Sequence, residues 1–393
     1  MTGTRNWATV AALVAAIAAL GIGQAALEAA TQGKAAQAPL FEVDPFWPDP
    51  LPNHWVLGSV VGVGVDSRDH VFIVHRQQTL NARTEIGASA SPPIGECCVA
   101  APPVLEFDAQ GKFVNGWGGP GEGYTWPESN HGIAVDNKDN VWIGGNGQGD
   151  SHILKFSHEG KLLMQIGIPG KAANSASTES FGRVAKVSFD HAANEAYVSD
   201  GYANKRVAVL DMNTGAVKRF WGAYGNKPDD ANLGPYNPDA PLAQQFRNPV
   251  HCAEPSDDGM VYVCDRPNNR IQVFRKDGSF VKEARIAPRT LGDGSVWDIA
   301  FSKDAQQKYI YLADGKNERV YIIERRTLEV LTSFGDGGRQ PGQFFAVHSI
   351  ATDSKGNIYT TETYEGKRLQ KFAFKGLAPV TGKNRGVPWP AKR

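Results

Sequence analysis

The chain has 393 residues, enough for one large domain or two ordinary ones. Its 41 lysines and arginines balance 41 aspartates and glutamates, which excludes a strongly basic nucleic-acid surface or an acidic tail. The 43 glycines and 24 prolines are spread along the chain and point to many short strands joined by tight turns.

Residues 1–38 read as an export signal. Arg5 is the positive flank, "WATVAALVAAIAALGIG" is the apolar run, and small residues suited to cleavage stand at 23–25 and 36–38. The run is short for a span of roughly 20 residues, so cleavage is expected over an uncleaved anchor. The mature protein is then expected outside the cytoplasm, periplasmic or secreted, with no stable membrane span and with disulfides allowed. Residues 39–53 form an N-terminal segment that holds one strand-like stretch, "LFEVD" at 40–44.

From residue 54 to 377 a unit recurs. Its first strand ends near an Asp or Ser: "GVGVDSRD", "GIAVDNKD", "KVSFDHAA", "HCAEPSDD", "DIAFSKDA", "SIATDSKG". A second strand, a polar turn and a third strand follow, as in "EAYVSDGYANKRVAVL" and "MVYVCDRPNNRIQVF". Six units of about four short strands predict an all-β, six-bladed β-propeller. The sixth unit lacks a clear fourth strand, and residues 40–44 are expected to supply it and remove the open edge. Residues 378–393 are left as a tail. A long insertion, 79–101, interrupts the first unit and is expected to be functional or disordered. The four cysteines allow three pairings. Cys252 and Cys264 would face each other across a hairpin, and the adjacent Cys97 and Cys98 either pair or stay thiols.

Five places before the residue that ends each first strand, the odd units carry Val61, Ala185 and Trp297, and the even units carry His131, His251 and His348. First strands line a propeller's channel, so alternate blades would aim three imidazoles at one axis. Three neutral imidazoles are the donor set of a zinc site, with one position left open for water or substrate. His54, His70, His75, His152, His158 and His191 show no such pattern and are expected to be solvated.

The turns after the second strands tend towards "D-x-x-N-x-R". The closing arginines Arg206, Arg270, Arg319 and Arg368 are expected to pair with acids of neighbouring blades. Arg76, Arg266 and Tyr202 depart from that repeat and are expected to overlook the channel. Two arginines beside a metal can grip a carboxylate in a forked manner. A phenol beside a metal and two cations loses its proton more readily and can serve as a base.

The motifs "NHGIAVDNKDNVWI", "YVSDGYANKR", "PVHCAEPSDDGMVYVCDRPNNRIQVF" and "VHSIATDSKGNIY" resemble those of the peptidyl-α-hydroxyglycine α-amidating lyases, within the wider group of NHL-repeat propellers. The resemblance implies zinc held by His131, His251 and His348, with Tyr202 as base and with Arg266 and Arg76 in the active site. It also implies a structural calcium held by the backbone carbonyls of Val63 and Ile133, although Ser349 stands where that family has an aspartate ligand. Ala203 replaces the family's cysteine after the tyrosine. The expected activity is cleavage of the C–N bond of an α-hydroxyglycine or similar carbinolamide to an amide and glyoxylate. The expected substrate is a small-molecule or peptide-derived carboxylate. The alternatives are hydrolysis of a lactone or ester on the same site, and a non-catalytic propeller that binds partners through one face.

Overall fold

Period-two alternation of β-branched and aromatic residues makes the strands, and an aspartate-led turn breaks them. Asp66 Oδ1 accepts from the backbone N–H of Arg68 and His70 at 2.9 and 2.8 Å. Asp136 Oδ1 does the same for Lys138 and Asn140, and Asp353 Oδ1 for Lys355 and Asn357. Each carboxylate thereby fixes the chain reversal between the first two strands of its unit.

These hairpins belong to six four-stranded antiparallel sheets in a computed structural model that describes residues 36–171 and 173–390. Residues 1–35, most of the segment expected to be an export signal, lie outside the described residues. The first sheet runs Ser59–Val65, Val71–Arg76, Val104–Phe107 and Phe113–Trp117, from the inside outwards. The inner strands of the other five are Asn130–Val135, Val184–Asp190, Val250–Pro255, Asp298–Phe301 and Val347–Thr352. Each inner strand packs against the inner strands of both neighbours, right round the ring. The protein is a six-bladed β-propeller. Its core is divided into wedges of apolar side chains, one at each boundary between adjacent blades.

The outer strand of the sixth blade is Gln37–Asp44, antiparallel to Leu369–Pro379, with Phe41 opposite Phe374. Phe41 is buried and packs on Tyr311, Phe334 and Phe374 with ring centroids 5.3–5.9 Å apart. Gln37 and Ala38 pair with Pro379 and Ala378, and Ala38 is fully buried. A cut after residue 38 would strip both from the sheet, whereas a cut after residue 25 would leave the strand whole. No helix among the described residues is long and apolar enough to cross a membrane.

Cys252 and Cys264 are cross-strand neighbours joined by a disulfide, and Cys97 is joined to Cys98. The insertion that carries the second pair is folded. Its Val99–Ala100 pairs in parallel with Trp55–Val56. Its Glu85 accepts from Lys367 Nζ at 2.8 and 3.0 Å, which ties the insertion to a turn of the sixth blade.

Because Phe41 fills the wedge where the ring closes, Phe41→Ala is expected to cost about 3–5 kcal/mol. A urea titration of the variant beside wild type measures this.

Candidate metal centre

In five blades the ladder between the first two strands slips once, near its start: at Val60/Gly62, His131/Ile133, Val184/Lys186, Val250/Cys252 and Val347/Ser349. A bulge leaves one residue out of the pairing and re-aims the side chain there. His251 and His348 are such unpaired residues, and in the second blade Gly132 takes up the slip beside His131. Gly132 has φ +65°, and a Cβ built on it would lie 2.3 Å from the carbonyl oxygen of Ala185. Only glycine lets the second blade approach the third this closely.

The three imidazoles meet in the channel. Their ring centroids are 5.2 Å apart for His131 and His251, 4.8 Å for His131 and His348, and 4.9 Å for His251 and His348. All three are at least 97% buried. His131 Nδ1 donates to Ala185 O at 2.7 Å and His251 Nδ1 to Trp297 O at 2.5 Å. The His348 ring bonds the Val61 backbone, and its Nδ1 faces Ser349 Oγ at 3.3 Å. The acceptors are the odd-blade residues at the histidines' own register, each from the following blade. With Nδ1–H committed, each Nε2 keeps its lone pair for a ligand. Burial holds all three rings well below the ordinary imidazole pKa; the charge of Arg266 pushes all three the same way, and that of Arg76 does so for His131 and His348. The set is therefore neutral, and one donor atom from each ring lies within 4.8 Å of the others, so it can hold one metal ion.

Tyr202 and the two arginines close over this set. Tyr202 Oη is 2.9 Å from His131 Nε2 and 3.1 Å from His251 Nε2. Arg266 Nη1 donates to Tyr202 Oη at 3.5 Å, and its guanidinium stacks on Trp297 at 4.5 Å. Arg76 is anchored by Asn130 O at 3.0 Å and Asn146 Oδ1 at 2.7 Å. Arg76 follows His75, which pairs with Val60, and Arg266 follows Asp265, which pairs with Val250. The arginines thus occupy one register on the first and fourth blades, facing each other across the ring. By the same count Tyr202 and Tyr364 are equivalents on the third and sixth blades. Asn248 Nδ2 holds the Tyr202 turn by donating to Gly201 O and Asn204 O at 2.8 Å each. Those bonds fix the turn at which Ala203 stands in place of a cysteine.

No protein-family model matches the chain. It is 25% identical over 356 residues to peptidyl-alpha-hydroxyglycine alpha-amidating lyase 1 of Drosophila melanogaster, covering 84% of this chain and 59% of that protein. It is 25% identical over 352 residues to NHL repeat-containing protein 3 of Mus musculus, covering 85% and 84%. The chain is similar both to these lyases and to NHL-repeat proteins. Among solved structures, a streptogramin B lyase superposes with a TM-score of 0.50 at 11% identity over 85% of this chain and 98% of that one, a likeness of fold. The chain spans about three-fifths of the length of the fly lyase, and the mouse NHL-repeat protein matches it as well as the lyase does.

The calcium that the resemblance implies does not fit here. Calcium asks for six to eight oxygens, carboxylates among them. Val63 and Ile133 line the far end of the channel, a cavity of about 300 Å³, but Ser349 Oγ, in place of the carboxylate, lies 3.4 Å from Val61 O. Glu254, which lines the same cavity, and the buried Asp298 each bond Lys186 Nζ at 2.8 Å. Burial opposes the ammonium charge there, yet the two acids raise its pKa above the ordinary lysine value.

The closing arginines are structural, but their acids lie in their own blades. Arg206 pairs with Asp200 and Arg270 with Asp265, each directly across a hairpin, and Arg368 pairs with Glu362. Arg319 instead donates to Asn317 O at 3.1 Å. Sequence reasoning gave no role to Trp297, whose ring stacks on Arg266 and lies 5.6 Å from the His348 ring. Its place at the histidine register was the available signal.

Gly132→Ala is expected to displace the Ala185 carbonyl and so free the His131 ring. Metal affinity should fall about 10–100-fold, as for other losses of a ligand's supporting bond. A competition titration against a chelator reads it.

Proposed function

We propose that the protein is an exported zinc-dependent lyase that splits the C–N bond of an α-hydroxyglycine or similar carbinolamide into an amide and glyoxylate. The observation that carries this reading is the phenol of Tyr202 poised at the Nε2 atoms of two imidazoles in a neutral His₃ set. A relative named as an α-amidating lyase and another named as an α-amidating monooxygenase support it.

His131, His251 and His348 would hold the zinc, which supplies a Lewis acid for the substrate's oxygen. Arg76 and Arg266, opposite each other at the mouth, grip the carboxylate and orient the hydroxyl-bearing carbon beneath Tyr202. Tyr202 Oη takes the hydroxyl proton. The oxygen's electron pair forms the aldehyde C=O while the C–N pair leaves on nitrogen, and the same proton is returned to that nitrogen. No water is consumed, which separates this reaction from hydrolysis of a lactone or ester.

Purified protein given an N-acyl-α-hydroxyglycine is expected to release glyoxylate and the amide in equal amounts. Tyr202→Phe should keep its metal and lose about 10²–10⁴-fold in kcat. His251→Ala should lose both the channel metal and the activity. Metal analysis with a glyoxylate assay tests all three. Full activity in Tyr202→Phe would transfer the proton to another group and sink the proposed mechanism.

A further inference from the structure

The first blade departs from the repeat at four equivalent places away from the channel. In the second blade Asp136 Oδ2 accepts from Asn140 Nδ2 and Trp142 Nε1, each at 3.0 Å. Lys155 stands 3.7 Å from that carboxylate and donates at 3.1 Å to Met212 O on the third blade. The sixth blade repeats the arrangement. Asp353 Oδ2 accepts from Asn357 Nδ2 at 2.7 Å and Tyr359 Oη at 3.0 Å, and Lys371 donates to Ala109 O of the first blade at 2.6 Å. Each link is one acid, two neutral donors and a lysine that reaches the next blade.

In the first blade the acid is Asp66, but His70 replaces the asparagine and Phe72 replaces the Trp or Tyr. Glu106 replaces the lysine, since Phe72 pairs with Glu106 as Trp142 does with Lys155 and Tyr359 with Lys371. On the next blade, the turn position of Met212 and Ala109 is taken by His158. One carboxylate, two neutral donors and a cation have become two carboxylates and two imidazoles. His70 Nδ1 is 2.6 Å from Glu106 Oε1, and His158 Nε2 is 3.2 Å from Glu106 Oε1 and 3.5 Å from Asp66 Oδ2. One ligand atom from each of the four lies within 4.8 Å of the others.

Both carboxylates are buried, at 0% and 1% side-chain exposure, and Glu106 Oε2 has no hydrogen-bond partner. Two buried anions call for two positive charges. Arg68, half-exposed, supplies one. It bonds Asp66 Oδ2 through Nε and Nη2 at 3.2 and 2.9 Å and reaches His158 Nε2. A divalent ion would supply both charges and satisfy four ligands.

We propose that Asp66, His70, Glu106 and His158 form a second metal site, for a zinc-like divalent ion, that clamps the first blade to the second. Two imidazoles and two carboxylates suit four-coordinate zinc. Arg68 closes the site in the metal-free protein and swings into solvent when the ion enters. The clamp does for this boundary what Lys155 and Lys371 do for theirs, and it is independent of the chemistry in the channel.

The test uses metal-free protein loaded with zinc alone, dialysed, and assayed for zinc per chain and for melting temperature. Wild type should retain two ions and His251→Ala one, with zinc raising the melting temperature of both. The double variant His251→Ala/His158→Ala should retain none and gain nothing from zinc. Arg68→Ala should bind the second ion several-fold more tightly. The triple variant His70→Asn, Phe72→Trp, Glu106→Lys rebuilds the repeat's own link, so it should stay folded with one ion. If His251→Ala retains no zinc, or His158→Ala leaves the count unchanged, the cluster is an ion-pair network closed by Arg68 and the proposal fails.

Discussion

Each channel histidine is hydrogen-bonded to the backbone of the following blade, and the geometry of the centre rests on that. A carbonyl in a strand cannot rotate away as a side chain can, so the ring planes are set by the backbone. The division of labour follows from the number of blades. Even blades give imidazoles, odd blades give the acceptors, and both stand at one register of the inner strands. If the ring opened between the sixth and first blades, His348 would lose its acceptor as the inner strand that carries Val61 moved off.

The same alternation gives the channel two chemically different ends. At one end, uncharged nitrogen donors lie under two guanidiniums and a phenol. At the other, Lys186 is locked between Glu254 and Asp298. An internal ammonium holds the two acids there, and it neither arrives nor leaves with the solvent. Anionic groups are favoured only at the mouth that carries Arg76 and Arg266. There the folded insertion, tied to the sixth blade through Glu85 and Lys367, borders the opening.

Much of this was legible in the sequence because a repeat turns linear spacing into angular position. Turn aspartates such as Asp66, Asp136 and Asp353 mark the register in the text of the chain. Counting from that register was enough to bring His131, His251 and His348 together. Tyr202, Arg76 and Arg266 stood out because the repeat predicted other residues there. The partners of Arg206 and Arg270 were misplaced because a cross-strand pair at a turn is nearer than any acid of the next blade. The cluster of Asp66, His70, Glu106 and His158 was missed for a different reason. Its members come from four strand ends on two blades, and His70 and His158 fall at different registers, so counting along inner strands does not connect them.

The strand that closes the ring is the first described segment of the chain, and it pairs with the last strand, Phe41 against Phe374. Nearly the whole propeller lies between those two partners, and loop closure over such a length must precede any reward from the contact. Until the final blade is made, the earlier ones form an open arc whose terminal sheets expose unpaired backbone. The metal centre draws on the second, fourth and sixth blades, so it too is assembled late. A chain leaving a ribosome or a membrane channel N-terminus first would therefore pass through as an arc without metal chemistry and gain its site only at the moment it becomes a circle.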